Sequence, residues 1–307
     1  MRIIVLGHSG YLGGHAAEQL GAVPGVRLVG GGRTPASDFE ADLATVGTAE
    51  LAERIAAFAP DAVVNCAGAV GGDAVTLAEV NARGPAVLCA ALREAAPGAR
   101  LVHLGSAAEY GPTARGERVT EYAATRPAGL YGATKLAGTI AVTTSGLDAV
   151  VLRVTNPVGP GAPAAGLPGG LARQLRRAGT GPDAVVRLGD LSACRDFVDA
   201  RDVAHAVVLA VTAPGPLPGV LNIGSGHAVP VRELVHGFTD VTGFRGSVRE
   251  AADRSGGSTR SAQVSWQCSD PAAARATLGW APRHSLRESL TALWAATAPG
   301  QPEDRIR

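Results

Sequence analysis

Lysine is almost missing from this chain: of 28 basic residues one, Lys135, is a lysine and the rest are arginines. A chain that meets every other need for positive charge with arginine uses an ammonium here, which points to chemistry a planar guanidinium does not imitate. Aromatic residues are also sparse, at 4% of 307 positions, with four tyrosines among them. One of these, Tyr131, precedes Lys135 by four residues, so on a helix the two side chains share a face one turn apart. An ammonium so placed lowers the pKa of a phenol by charge proximity and donates to several hydroxyls from one compact point.

Other scarcities exclude whole classes of function. Cys66, Cys89, Cys194 and Cys268 are scattered, with no C-x-x-C pair and no histidine at ligand spacing. That pattern excludes a disulfide framework and a structural zinc site, and predicts reduced thiols and no metal. Neither sign of charge forms a block: 28 basic residues stand against 27 acidic, for a net charge of +1. The chain therefore lacks the electrostatic footprint of a nucleic-acid or acidic-membrane binder. No apolar run approaches the roughly 18 residues of a membrane span. The first strand pattern begins at Arg2, ahead of any signal-peptide pattern, so the expectation is a soluble cytoplasmic protein.

What is present alternates. Short β-branched runs at 2–6, 27–29, 62–65, 100–104 and 149–152 are separated by alanine-rich helical stretches near 11–21, 48–58, 75–96 and 129–145. This is the pattern of an α/β fold with a parallel sheet, and the almost continuously apolar strands fit a sheet covered on both faces. Residues 157–163 read as loop, followed by a helix over 167–178, a strand at 185–189, a helix over 199–212 and a strand at 220–223. The last stretch is more polar, with helices near 230–242, 270–277 and 284–296 and a flexible or ligand-ordered loop at 251–261.

Gly7, Gly10 and Gly13 follow the first strand and open the first helix, with Ser9, Tyr11 and Leu12 between them. Glycine permits the tight turn and lets backbone approach a pyrophosphate held at a helix N-terminus. The expectation is a Rossmann-type doubly wound parallel sheet with a smaller mixed α/β C-terminal substrate lobe. Residues 1–157 plus about 199–224 form the dinucleotide-binding domain, and about 158–198 plus 225–307 the substrate domain. The second strand ends without an acid to hold a ribose 2′-hydroxyl, and Arg33 stands just beyond it. That arginine favours NADP(H), with NAD(H) as the alternative. Asp42 and Leu43 lie where such folds hold the adenine ring, and Cys66, Ala67 and Gly68 end the strand beneath the cofactor.

Five landmarks recur in order: Gly7-x-x-Gly10-x-x-Gly13, Asn65-Cys66-Ala67-Gly68, Ser106 at a strand end, Tyr131-x-x-x-Lys135, and Asn156-Pro157-Val158-Gly159. With them the chain resembles the extended short-chain dehydrogenase/reductase family, in its epimerase/dehydratase branch acting on nucleotide sugars. The segments Gly105-Ser106-x-x-Glu109-Tyr110-Gly111 and Arg195-Asp196-Phe197-x-Asp199-x-Arg201-Asp202 are similar to those of GDP-4-keto-6-deoxymannose reductases. The resemblance implies Tyr131 as general acid–base, Lys135 lowering its pKa and binding the nicotinamide ribose, and Ser106 orienting the substrate oxygen. It implies Asn156, Arg195 and Arg260 on the substrate diphosphate, a supporting Asn81, and a homodimer. The chemistry agrees, because a carbonyl accepting hydride develops alkoxide charge and needs a proton donor and a second hydrogen bond.

Sugar dehydratases of this family carry acids just after the serine; here Ala107 and Ala108 stand there, and alanine moves no proton. The reading is therefore an NADP(H)-dependent ketoreductase of a nucleotide-activated 4-keto-6-deoxysugar. The alternatives are an NAD-dependent nucleotide-sugar 4-epimerase and a ketoreductase of a polyketide or other secondary-metabolite ketone. Gln263, where relatives carry an acid, leaves room for the last. A non-catalytic NADP-binding protein would have no use for the phenol. Glu109 receives no catalytic role.

Overall fold

The computed structural model describes residues 1–250 and 264–298. Arg260, Gln263 and the loop expected at 251–261 lie outside the described residues. The first half holds β1 (Arg2–Leu6), β2 (Arg27–Gly32), β3 (Phe39–Glu40), β4 (Ala62–Asn65), β5 (Arg100–Ser106) and β6 (Ala149–Val154). The second holds β7 (Asn156–Val158), β8 (Val185–Leu188), β9 (Cys194–Asp199), β10 (Val220–Ile223), β11 (Ala228–Pro230) and β12 (Ser247–Glu250). The helices are α1 (Tyr11–Gly21), α2 (Thr48–Ala56), α3 (Ala74–Ala78), α4 (Gly84–Ala95), α5 (Leu130–Thr143), α6 (Leu167–Ala178) and α7 (Ala200–Thr212). Three more, α8 (Val231–Thr242), α9 (Ala272–Leu278) and α10 (Leu286–Ala296), complete the described chain.

Seven strands form one parallel sheet in the order β10-β6-β5-β4-β1-β2-β3. The strand order reverses between β1 and β4, whose last residues pair as Leu6↔Asn65. At such a switch point the C-terminal strand ends part to leave a crevice. The fold is Rossmann-like, as the sequence pattern predicts. Both faces are covered: one buries Ala16 and Leu20 of α1 with Val203, Val207 and Val211 of α7, the other Leu51 and Ile55 of α2 with Leu88 and Leu92 of α4. A separate apolar cluster joins Leu171 and Leu175 of α6, Leu234 and Phe238 of α8, and Leu290 and Leu293 of α10. It packs beside two small sheets, β11-β9-β7 and β12-β8.

Trp280 is fully buried on the face covered by α7, and its indole N–H donates to the Asp202 carbonyl at 2.9 Å. Trp280→Ala should cost about 3–5 kcal/mol of folding stability, read as a lower denaturant midpoint.

Several elements depart from the sequence expectation. The single helix expected at 75–96 is broken into α3 and α4 by a π-helical turn over Glu79–Arg83. Pro85 in the first turn of α4 removes a ladder donor there, and the extra residue of such a turn rotates the side chains of Glu79–Arg83. The loop expected at 157–163 begins as strand, since β7 pairs with β9 through Asn156↔Phe197 and Val158↔Asp199. The sequence pattern gives no sign of the short strands β3, β9, β11 and β12. Among the described residues no helix is long and apolar enough to cross a membrane, and no cluster of His, Cys, Asp and Glu could hold a metal ion.

Candidate active site

The glycine turn, Asn65–Gly68, Ser106 and the Tyr131–Lys135 helix lie on the C-terminal edge of the large sheet or on a helix reaching it, whereas Asn156 and Arg195 lie on the small sheet and Arg260 falls outside the described residues. After β1, Gly7 takes φ +74°, a conformation open to glycine, and its N–H donates to the Gly31 carbonyl at 2.9 Å. A Cβ at Gly7 would meet the Ala67 nitrogen at 2.8 Å, and one at Gly13 would collide with the Gly7 carbonyl. Helix α1 thus starts hard against the turn. Its N-cap is Gly10, no side chain caps it, and its first turn holds no acid. Backbone N–H groups of Tyr11, Leu12 and Gly13 at an uncapped helix start fit a dinucleotide pyrophosphate.

Beyond β2, Arg33 is exposed, as a residue facing a bound phosphate group can be. The residue that sequence reasoning missed here is His8. Its Nε2 lies 3.1 Å from the Ser37 hydroxyl, which is 3.2 Å from that of Thr34. The imidazole fills the space over Gly30, where a Cβ would meet the ring at 2.9 Å. Polar groups from two turns therefore gather around Thr34, the residue after Arg33, and the Asp38 carboxylate from the same stretch accepts the Gly30 N–H at 2.6 Å. The Asp42 carboxylate accepts from Ala44 N–H at 3.0 Å, and Leu43 is buried in the core. Arg83 holds this turn through the carbonyls of Leu43, Ala44 and Val46.

Ser106 ends β5, buried, with its hydroxyl accepting the Ala108 N–H at 3.2 Å. The helix carrying Tyr131 presses on this turn: a Cβ at Gly132 would collide with the Ala108 carbonyl. Tyr131 is half-buried in the first turn of α5, and its carbonyl accepts from Thr134. One turn on, the Lys135 ammonium is buried and donates to the Leu104 carbonyl at 2.5 Å, two residues before Ser106. The Gly68 backbone is beside it, a Cβ there standing 3.8 Å from Nζ. Asn81, on the π-helical turn, bonds both backbone groups of Ala69, at 2.9 and 2.8 Å, and reaches Thr134. The segments after β4 and β5 and the helix α5 are thereby locked to one another around Lys135.

Burial pushes the Lys135 amine below its usual range, and the charge of Glu109 works against that. Burial pushes the Cys66 thiol up to about 12 despite the nearby ammonium, so it stays protonated. His103, fully buried on β5, is held neutral by burial and by Lys135. A strand-end hydroxyl, a phenol and a charged amine at one sheet edge can deliver a proton to a carbonyl oxygen and stabilise the charge that forms there.

Residues 3–224 match the NAD dependent epimerase/dehydratase family. The chain belongs to that family. It is an NAD(P)-dependent oxidoreductase of the extended short-chain dehydrogenase/reductase group. It is 37% identical over 315 residues to the dTDP-6-deoxy-L-talose 4-dehydrogenase (NAD(P)(+)) of Kitasatospora kifunensis, covering 97% of this chain and 96% of that one. With the GDP-6-deoxy-D-mannose reductase of Pseudomonas aeruginosa it shares 28% identity over 246 residues, 76% of this chain and 79% of the other. MoeE5, solved in complex with UDP-glucuronic acid and NAD, superposes with a TM-score of 0.83 at 26% identity, over 97% of this chain and 99% of that one.

The substrate-side residues expected from the epimerase/dehydratase family are placed less uniformly. Asn156 donates to the Asp196 carbonyl at 2.9 Å and to Gln267 at 2.8 Å, tying β7 to the neighbouring segments. Arg195 is buried in β9, donating to the carbonyls of Cys194 at 2.8 Å and Val264 at 2.6 Å. The structure brings these two onto adjacent strands of the small sheet. In the same motif Asp196 accepts from Ser225, Gly226 and Ser269, and Asp202 from His284 and the Arg283 and His284 backbone. Those two acids tie the late chain to the sheet.

Proposed function

We propose that this protein is an NADP(H)-dependent ketoreductase of a nucleotide-activated 4-keto-6-deoxysugar. One observation carries the reading. A serine at a strand end and a Tyr131–Lys135 helix pack on a turn whose next two positions, Ala107 and Ala108, hold no acid. That set suits one hydride transfer with one proton transfer and cannot eliminate water. The names of the relatives support the substrate class. The Kitasatospora relative is a 4-dehydrogenase of a nucleotide-linked 6-deoxysugar, the reverse of reducing a 4-ketone, and the Pseudomonas relative is a nucleotide 6-deoxysugar reductase.

The nicotinamide, when bound, supplies hydride to the carbonyl carbon. The protein supplies the rest. The Tyr131 phenol gives its proton to the oxygen, Ser106 donates a hydrogen bond to the same oxygen, and Lys135 holds positive charge beside the phenol as it ionises. The turn from Gly7 to Gly13, with Ser9, Tyr11 and Leu12, cradles the pyrophosphate; Asp42 and Leu43 border the adenine; Cys66, Ala67 and Gly68 floor the nicotinamide end. Asn156, Arg195 and Arg260 are assigned to the sugar nucleotide in the lobe built from about 158–198 and 225–307. Exposed Leu130 and Ile140 on α5, with Val75 on α3, support pairing of two copies through these helices.

The test is nicotinamide absorbance on mixing enzyme and NADPH with nucleotide-linked 4-keto-6-deoxysugars. The proposal expects stoichiometric NADPH oxidation; none with any nucleotide partner would reject it, and conversion without net oxidation would favour an epimerase. Cofactor choice is checked separately. Arg33→Ala should weaken NADPH binding about tenfold and leave NADH nearly unaffected, as loss of one charge-assisted phosphate contact predicts. Calorimetric titration of both nucleotides reads this directly.

A further inference from the structure

Glu109, to which the sequence assigned no role, is fully buried beneath Ser106. One carboxylate oxygen accepts the Ser106 N–H at 2.8 Å, and the other accepts from Arg153 on β6 at 2.7 Å. The Arg153 guanidinium lies 4.6 Å from the centre of the Tyr110 ring, and the Tyr110 hydroxyl donates to Asn222 at 2.8 Å. Asn222 in turn donates from its side-chain amide to the Val119 carbonyl at 3.0 Å and from its backbone N–H to the Glu121 carboxylate at 2.8 Å. At the same strand end, two residues before Ser106, the Leu104 carbonyl accepts from the buried Lys135 ammonium at 2.5 Å, and the Glu109 charge raises the pKa of that amine. Two buried cations thus share one buried anion, in a place where isolated charge is costly.

We propose that Glu109 is a positioning residue of the active site, the shared counter-charge that fixes the Ser106 strand end and balances both Arg153 and Lys135. The inference rests on Lys135 belonging to the catalytic set. The ionisable groups that act on the amine are Glu109 from the turn after β5, Cys66 after β4 and His103 on β5, and Tyr131 stands one turn earlier on the same helix. Those around Glu109 are Arg153, Tyr110 and, beyond Tyr110, Glu121. A buried carboxylate favours the charged amine, so removing it lowers the pH at which Lys135 loses its proton, and removing Arg153 raises it.

The composition of the chain makes this measurable. Because Lys135 is the sole lysine, lysine-selective carbon-13 labelling gives one side-chain signal in NMR, and its pH titration reads this amine alone. In Glu109→Gln the midpoint should fall by about one pH unit or more. In Arg153→Gln it should rise, and in the double variant Glu109→Gln/Arg153→Gln, which keeps the wild-type local charge, it should return toward the wild-type value. An unchanged midpoint in Glu109→Gln, or a deeper fall in the double variant, would overturn the proposal. If Glu109→Gln fails to fold, the double variant against Arg153→Gln alone gives the same comparison, with equal midpoints as the refuting result. No substrate enters the measurement, so its outcome is separate from whether a ketosugar is reduced.

Discussion

Tyr131→Phe is expected to lower turnover by about 10²–10⁴-fold, the usual contribution of a positioned general acid, while NADPH binding survives. The change removes one hydroxyl and keeps the ring. Tyr131 stands in the first turn of α5, where the contact of Gly132 with the Ala108 carbonyl sets the helix against the Ser106 turn. That packing is indifferent to the hydroxyl, so the variant should fold and take up cofactor normally. The missing proton matters only as charge develops on the substrate oxygen, so kcat and kcat/KM should fall together. Steady-state rates with a fluorescence titration of NADPH check both halves. A fall in KM-linked binding without loss of kcat would make Tyr131 a contact residue only.

Lys135→Arg should cost about a hundredfold in kcat although the formal charge is kept, the scale of losing one preorganised electrostatic donor. The ammonium is buried, bonded to the Leu104 carbonyl at 2.5 Å and flanked by the Gly68 backbone. A guanidinium is broader and planar, and overpacking of this kind costs about 1–3 kcal/mol. It also moves the charge away from the point, one turn after Tyr131, where the proposed mechanism needs it. Affinity for NADPH should weaken as well, since the same amine is assigned to the nicotinamide ribose. The rates and the thermal midpoint of this variant separate lost chemistry from lost fold, and wild-type turnover would refute the argument from the solitary lysine.

The parts that were legible in the sequence are those governed by local pattern. Strands at 2–6, 62–65 and 220–223 and helices at 11–21 and 167–178 have the bounds their periodicity predicts, because strands covered on both faces are continuously apolar and helices carry one apolar stripe. Arg195, Asp196 and Asp199 interrupt the apolar run of β9 and hide it in the sequence; the strand is buried throughout because Val264 and Ser225, distant in sequence, pair with Arg195 and Asp196, and Arg201 pairs with Asp199. The break between α3 and α4 had one visible sign, Pro85, but the π-helical turn that presents Asn81 depends on α5 packing against it.

The same division holds at the site. Glycine spacing and the Tyr131–Lys135 interval are short-range signals and were read. His8 needs Ser37, and Glu109 needs Arg153 forty-four residues later, so neither role can be seen before the chain is folded. The motif around Arg195 implies a ligand-facing arginine; its bonds to two carbonyls come from strand packing that the motif does not encode.

The most direct test of the central claim follows the hydride itself. NADPH deuterated at the transferable position, mixed with the enzyme and a nucleotide-linked 4-keto-6-deoxysugar, should yield a 6-deoxysugar carrying that deuterium at C4, one label per NADPH consumed. A converted sugar without deuterium at C4, or a full-length folded enzyme that leaves the labelled NADPH untouched, would contradict the account.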